Sequence, residues 1–197
     1  LALTFLLNGD YQKGWLEHEY RFKQSSNLVI SHSWPSITQW QGENLNSGEQ
    51  LLVVSEQGLG DTIQFMRYIP YLMQQGIDVS LCAQTKLHDL IKSSGITSNP
   101  LTPEQGSSVQ EGKWVPLLSV PHFLDVTPGN PVVIEPYIYS SNELTIKWRE
   151  ILSTEQKPII GINWQGNPDA EKNNLKGRSI PLELFSKIAE NHDCKFL

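Results

Sequence analysis

The hydrophobic positions follow two different rhythms along the chain. In residues 1–7 and 11–22 they recur at helical spacing, with an Asn8-Gly9-Asp10 stop between the two segments. From residue 51 onward, short apolar runs alternate with amphipathic segments. Continuous apolar runs are typical of strands that are buried on both faces of a parallel sheet. The pattern therefore predicts an α/β fold that follows a helical hairpin.

Strands and helices are predicted to alternate through the α/β part. We expect strands at 51–55, 78–83, 114–118 and 158–164, and helices at 62–75, 85–94, 142–152 and 182–190. Pro70 lacks a backbone donor and should kink the first of these helices. Residues 99–112 are predicted to be a polar loop, and residues 24–50 an ordered connector without helix or strand, anchored by Trp34 and Trp40. Such alternation builds right-handed βαβ units and a parallel sheet.

Composition narrows the classes of function. The chain has 197 residues, 39% of them apolar, which is enough for one large or two small domains. Its net charge of -6 argues against nucleic-acid binding, because neutralising phosphates requires a basic surface. Cys82 and Cys194 stand far apart in apolar runs, which indicates neither a disulfide scaffold nor a metal site but a reducing, cytoplasmic compartment.

Targeting signals and the chain ends add two expectations. No apolar run approaches the ~18 residues of a membrane span, and no signal peptide is recognisable, so we expect no transmembrane segment. The chain begins at Leu1 without Met and ends in an apolar run typical of a strand start, which indicates a fragment of a longer protein.

A glycine-rich turn follows the first predicted strand. The strand breaks into Gly58-Leu59-Gly60-Asp61 and a helix follows, an arrangement common in binding sites. Ile63 replaces the third glycine of a dinucleotide fingerprint, and no Gly-Lys-Ser/Thr follows, so neither an NAD site nor a P-loop is expected. The glycines still permit close approach of the backbone to a ligand, and the free amides of a helix start favour negative charge.

Asp61 has two compatible interpretations. It precedes the predicted helix, and with Gln64 three residues later it would form a capping box. An ionised carboxylate at this place could also accept a proton from a substrate hydroxyl as a general base.

A second polar loop follows the apolar run at 158–164. Lys172, Lys176 and Arg178 form a local basic cluster in an acidic chain, where a diphosphate could be neutralised. The alternative is a solvated loop, since charge clusters commonly serve that purpose. Trp164 would either shape the floor of a cleft, together with Asn167, or belong to the core.

Several segments together resemble a known family. "LLVVSEQGLGDTIQFMRYIPYLMQQG" at 51–76, with "IIGINWQGNP" and "RSIPLELF" near the end, is similar to the heptosyltransferase-like glycosyltransferases, glycosyltransferase family nine. "LNGDYQKGWLEHEYRF" at 7–22 and "WPSITQWQGENL" at 34–45 resemble the members in which tetratricopeptide repeats precede the transferase. The resemblance covers nearly the whole chain.

The resemblance implies a GT-B fold, in which two Rossmann-like domains close on a cleft. Residues 1–23 would end a repeat region, 24–50 connect it, 51–157 form the acceptor domain, and 158–197 begin a truncated donor domain. The implied reaction moves a sugar from a nucleotide-sugar donor to a carbohydrate, lipid-linked or protein acceptor, with no metal or cofactor required. Further repeats would precede Leu1 and offer a protein-binding surface.

The resemblance also implies roles for single residues. Gly60-Asp61 matches the family's Gly-Asp pair, whose Asp is the proposed base. Arg178, helped by Lys172, would contact the donor diphosphate. The remaining substrate-binding candidates are Gln57, Gly58, Gly60, Gln64, Trp164 and Asn167. Glu56-Gln57 departs from the family's usual pair at this place, which bears on the acceptor. The rival interpretation is a catalytically degenerate repeat protein that acts as a scaffold or as a carbohydrate- or protein-binding module.

Overall fold

The structure is a computed structural model that describes residues 1–23, 31–46, 48–132, 135–166, 171, 177, 179–190 and 193–197. The chain divides into two units, Leu1–Asn142 and Glu143–Leu197. The finer predicted division at 23/24, 50/51 and 157/158 stays a prediction.

The first unit opens with the predicted helical hairpin. Helices α1 (Ala2–Leu7) and α2 (Tyr11–His18) pack together, and a 3-10 helix (Glu19–Lys23) continues the second of them. Gly14 is buried, and a Cβ at this position would overlap the side chain of Leu6. Glycine therefore allows the two helices to approach closely, and the predicted hairpin is confirmed.

A four-stranded parallel sheet forms the centre of the first unit. Its strands are β1 (Thr38–Gln39), β2 (Gln50–Val54), β3 (Asp78–Cys82) and β4 (Lys113–Pro116), in the order β1-β4-β2-β3. The prediction of an α/β fold with a parallel sheet is confirmed. The expectation that the connector contains no strand is wrong, because Thr38 and Gln39 pair with β4 at the sheet edge. Long-range pairing, rather than a local apolar pattern, creates this short strand.

Strand β2 is buried on both faces, as its continuous apolar sequence predicts. Leu51 and Val53 belong to the larger core cluster, which also contains Met66, Ile69, Leu72, Leu81, Ile91 and Val115. Leu52 and Val54 lie in the smaller cluster on the other face, with Cys82 and Trp114. Since successive side chains of a strand point to opposite faces, both faces of the sheet are covered.

The predicted helix at 62–75 is two helices. Helix α3 (Leu59–Phe65) ends before Met66, and α4 (Tyr68–Gln74) begins after Arg67. Pro70 cannot donate to the Met66 carbonyl, which instead accepts the Ile69 N–H at 3.1 Å. The missing donor therefore breaks the helix, where we expected a kink.

The other helices of the first unit are short. They are α5 (His88–Ser93) after a 3-10 helix (Thr85–Leu87), α6 (Pro103–Ser107), and α7 (Val120–Phe123) after a further 3-10 helix (Leu117–Ser119). The prediction of a loop at 99–112 is wrong, because α6 lies within it. Thr102 accepts the Gln105 N–H at 3.3 Å, and the Gln105 side chain accepts the Thr102 N–H at 2.9 Å. This reciprocal cap starts a helix that has no apolar periodicity.

From residue 142 onward the predicted helix at 142–152 is confirmed with the same bounds, whereas the predicted strand at 158–164 is shorter and the predicted helix at 182–190 is a 3-10 helix followed by a short α-helix. The helix α8 (Asn142–Leu152) is followed by β5 (Ile159–Ile160), a 3-10 helix (Leu182–Phe185), α9 (Ser186–Ala189) and β6 (Lys195–Phe196). β5 and β6 pair in parallel, so the final apolar run is a strand. Across the residues described in both units, no helix is sufficiently long and apolar to cross a membrane.

The turn before β4 yields a stability prediction. Gly112 has a φ of 85°, and a Cβ there would overlap the Gln50 carbonyl oxygen at the start of β2. Gly76 has nearly the same φ, 84°, but no described atom lies within 4 Å of its Cβ position. Both alanine variants carry the left-handed penalty of about 1–2 kcal/mol. Only Gly112→Ala adds an overlap, which we expect to cost about 2 kcal/mol more.

Urea unfolding of Gly112→Ala and of Gly76→Ala, the matched control, measures this difference. Equal losses of unfolding free energy in the two variants would show that the contact between Gly112 and β2 does not restrict a side chain.

Candidate functional site

The candidate site lies at the carboxyl ends of the central strands. The chain leaves β2 to form β3 on one side of it and then crosses to form β4 on the other side. Ligands of open α/β sheets bind in the crevice at such a switch point. Residues 55–58 follow β2 and the 3-10 helix at 117–119 follows β4, so both segments lie at this switch point.

Asp61 lies inside the first turn of α3. The helix begins at Leu59 with Gly58 as its N-cap, so Asp61 is its third residue. Its Oδ2 accepts the Gly58 N–H at 2.9 Å. The prediction that Asp61 begins a capping box with Gln64 is therefore wrong. Gln64 is exposed on the next turn, and the extended backbone of Gly58 lets the helix start earlier than the apolar pattern predicts.

The loop before α3 is held on both sides of Gly58. Gln57 has a positive φ of 63°, and its carbonyl accepts a long hydrogen bond of 3.5 Å from the Gln84 side chain. Gln84 in turn accepts the Thr62 hydroxyl at 2.8 Å. A Cβ at Gly58 would lie 3.1 Å from Oδ2 of Asp61, so a side chain there would displace this carboxylate by a few tenths of an ångström. These contacts fix the half-buried Asp61 carboxylate relative to β2 and β3.

No contact within the described structure explains why residue 60 is a glycine. It is exposed in α3, and no described atom lies within 4 Å of its Cβ position. A glycine inside a helix costs about 1 kcal/mol relative to alanine. The described fold would therefore accommodate a larger residue, and close approach by another molecule would give the glycine a reason.

Glu56, directly after β2, is a buried carboxylate at this end of the sheet. Its side chain has no exposed surface and accepts two hydrogen bonds from Arg21, at 3.1 Å from Nε and 2.7 Å from Nη2. The Leu118 N–H donates to the same carboxylate at 3.1 Å. The Arg21 side chain is only 10% exposed and stacks on the Phe22 ring at 4.2 Å. A forked pair of this kind joins the helical hairpin to the end of β2.

Further polar groups complete this network. Arg21 also donates to Glu19 at 2.9 Å, to the His18 carbonyl at 3.0 Å and to the Ser119 hydroxyl at 2.7 Å. Ser119, fully buried, donates to Glu19 at 2.9 Å. Burial and, to a smaller extent, the Arg21 guanidinium together lower the pKa of His18 to about 4, against the opposing effect of Glu19. His18 is therefore neutral near pH 7.

The sequence alone does not predict this network. Its patterns mark Glu56 only as a departure from the family pair and give Arg21 no role. The available signal was a carboxylate directly after an apolar strand, since a buried charge requires a partner. No local pattern identifies Arg21 as that partner, because the two residues are 35 positions apart.

The predicted donor-site residues are only partly described. Asn167, Lys172, Lys176 and Arg178 lie outside the described residues. Trp164, in the second unit, is 37% exposed, which contradicts the alternative that it belongs to the core. Its carbonyl accepts the Ile180 N–H at 2.8 Å, and the Gly166 N–H donates to Ser179 at 2.9 Å. Among the described residues, no group of three or more His, Cys, Asp or Glu side chains could hold a metal ion.

Comparison with known proteins yields one partial similarity. Over 94 residues, 46% of its length, the chain is 30% identical to Protein FlbA from Caulobacter vibrioides. The match covers 15% of that protein, so the chain corresponds to a small part of this relative. No family model and no solved structure matches the chain.

Removal of one partner of the Arg21–Glu56 pair should destabilise the fold. Arg21→Met leaves the Glu56 carboxylate buried without its cation, and we expect a loss of about 3–5 kcal/mol in unfolding free energy. Arg21→Met combined with Glu56→Leu removes both charges and should recover part of that loss. Lys13→Met is the control, since it breaks the exposed Lys13–Asp10 pair and should change stability little. Equal effects of Arg21→Met and Lys13→Met in urea unfolding would contradict the role given to the buried pair.

His18 should make stability depend on pH. Its folded pKa, about 4, lies below the usual 6.5, so protonation favours the unfolded chain. The stabilisation is complete above pH 6.5 and is lost as the pH falls to 4. After allowance for partial exposure, we expect a loss of about 2 kcal/mol over this range.

Unfolding free energies measured at closely spaced pH values test this effect, with His18→Gln as the comparison. The difference between the two proteins should change between pH 6.5 and 4. Parallel curves would contradict the assignment.

Proposed function

We propose that the chain is part of a glycosyltransferase that moves a sugar from a nucleotide-sugar donor to an acceptor hydroxyl without a metal ion. The observation that carries the proposal is the half-buried Asp61 carboxylate at the carboxyl end of the central strand, held by the Gly58 N–H at 2.9 Å. The resemblance to the heptosyltransferase-like family adds the Gly-Asp pair to this observation. A GT-B fold and a tetratricopeptide identity for the hairpin are parts of the same proposal.

The proposed chemistry needs one base and one site for the leaving group. Asp61 takes the proton of the acceptor hydroxyl while the oxygen of that hydroxyl bonds to the anomeric carbon. The bond from that carbon to the donor diphosphate breaks, and the nucleoside diphosphate leaves with the electron pair. Arg178, with Lys172, would stabilise the charge of the leaving group. Inversion at the anomeric carbon is the expectation that the family resemblance favours.

Gly60 supports this proposal independently of the family. The described fold leaves room for a side chain at this position, yet a glycine stands one residue before the proposed base. A substrate that approaches the backbone beside Asp61 would require such a residue. Gln57, Gly58 and Gln64 lie around the same turn, on the loop or on the first two turns of α3.

A non-catalytic binding module is the second candidate. The observation that favours it is the Arg21–Glu56 pair, because the side chain directly after the central strand is buried and hydrogen-bonded within the fold. In that case the domain would present a surface for a protein or carbohydrate and catalyse no transfer.

Substitution of Asp61 tests the proposed reaction. In the complete protein, Asp61→Asn removes the base and should lower the transfer rate about 100-fold to 10,000-fold. Calorimetry should show almost unchanged donor affinity, because the base acts on the acceptor. The rate is measured as release of nucleoside diphosphate from a panel of UDP-, GDP- and ADP-sugars with candidate glycan acceptors.

Two further variants serve as contrasts in the same assay. Gly60→Ala should raise helix stability by up to about 1 kcal/mol while it slows transfer, a combination that a merely structural glycine would not produce. Arg178→Ala should weaken donor binding instead. Transfer that survives Asp61→Asn at its full rate would refute the base assignment, and a complete protein that turns over none of these donors would favour the binding module.

A further inference from the structure

A cavity of about 310 Å³ lies on the outer side of α4 in the first unit. It is enclosed by α4, by the end of α5 and by the segment around residues 135–139. Its lining combines three tyrosines with charged and amide groups, and the residues that carry the argument are Arg67, Tyr71, Gln74, Glu135, Tyr137 and Tyr139. The volume is at the lower end of the range of about 300–1,000 Å³ that is typical of small-molecule sites.

The helical repeat of α4 assigns one face to the core and another to the cavity. Tyr68, Ile69 and Leu72 are buried in the sheet-facing core. Arg67, Tyr71 and Gln74 are spaced by four and then three residues, so they share the other face of the helix. Three chemically useful side chains therefore point away from the core into one concave surface.

The Arg67 side chain is held in place before any ligand arrives. Its Nε donates to the Gln64 carbonyl at 2.7 Å, and its Nη2 donates to the Tyr137 hydroxyl at 3.1 Å. The guanidinium also stacks on the Tyr137 ring, 4.9 Å from its centroid. The Tyr137 hydroxyl donates in turn to the Ile63 carbonyl at 2.9 Å. Such preorganisation lowers the entropy cost of binding.

The opposite wall is anchored in a similar way. The Tyr139 N–H donates to the Ser94 hydroxyl at 3.0 Å, and the Ser93 hydroxyl donates to the Tyr139 carbonyl at 3.0 Å. The Tyr139 hydroxyl donates to the Pro136 carbonyl at 3.0 Å, yet its side chain remains 53% exposed. The exposed ring is therefore held at the cavity by its own segment.

We propose that this cavity binds a saccharide of one or two sugar rings. Sugar rings present C–H faces, which are attracted to aromatic faces, and hydroxyl edges, which both donate and accept hydrogen bonds. The cavity offers the matching set: tyrosine rings, the Arg67 and Gln74 donors, and the Glu135 and Gln74 acceptors. An apolar ligand would remove water from the Glu135 carboxylate and from the Arg67 guanidinium without replacing its hydrogen bonds, at a high cost. Glu135 offsets the charge of Arg67, so the cavity does not select for an anion.

This site is separate from the proposed reaction. None of the residues that line the cavity is the proposed base or a predicted donor residue. Saccharide binding here would hold a glycan chain on the first unit whether or not Asp61 catalyses transfer.

Titration of the full chain with defined sugars tests the proposal. Glucose, N-acetylglucosamine, galactose and maltose are added to ¹⁵N-labelled protein, and the amide resonances of Gln74, Gly95 and Tyr139 are followed. We expect at least one sugar to shift these resonances saturably. Tyr71→Ala and Arg67→Lys should each weaken its affinity about tenfold, equivalent to about 1.4 kcal/mol. Arg67→Lys keeps the charge but removes the forked donor geometry.

Tyr20→Ala is the matched control, because Tyr20 is 50% exposed and does not line the cavity. It should leave the affinity for the sugar unchanged. Asp61→Asn should also leave this affinity unchanged, because Asp61 does not line the cavity, and this result would separate saccharide binding from the proposed reaction. Amide spectra of each variant establish that it is folded before affinities are compared. The proposal is overturned if none of the four sugars shifts the cavity resonances, if folded Tyr71→Ala and Arg67→Lys both bind with unchanged affinity, or if inorganic phosphate binds there more tightly than every sugar.

Discussion

A carboxylate with no exposed surface at the end of an apolar strand is the constraint on which the first unit depends. Glu56 follows directly on β2, and an unpaired charge at this depth would be incompatible with a stable fold. The Glu56 carboxylate is paired with Arg21 of the helical hairpin, 35 residues earlier, and accepts a hydrogen bond from the backbone N–H of Leu118. The Arg21–Glu56 pair thus joins the hairpin to the sheet, and both belong to one unit.

The same constraint prepares the candidate site. Glu56 is held by Arg21, the Gln57 carbonyl by Gln84, and the Gly58 N–H by Asp61, so three consecutive residues are each tied to a different part of the fold. A functional carboxylate must keep its position to within a fraction of an ångström, and supporting contacts of this kind provide that precision. The buried ion pair therefore contributes to the position of Asp61 as well as to stability.

The sequence predicts those features that local patterns encode. Strand β2 is recognisable because burial on both faces demands an uninterrupted apolar run, and the hairpin because Gly9 stops a helix. β1 has no such pattern, since only its pairing with β4 makes it a strand. The apolar pattern places the start of α3 too late, because it does not show that the extended Gly58, rather than Asp61, is the N-cap. Pairings between distant residues, such as Arg21 with Glu56, leave no local trace.

The break at Pro70 links the two regions to which we assign chemistry. In a continuous helix, the carbonyls of Ile63 and Gln64 would accept the backbone N–H groups of residues 67 and 68. Because α3 ends before Met66, these carbonyls accept the Tyr137 hydroxyl and the Arg67 side chain instead. Those two side chains form the wall of the cavity, while the first turn of the same helix carries Asp61. The helix break ahead of Pro70 thus lets a single two-turn helix hold the candidate base at one end and organise the proposed saccharide site at the other.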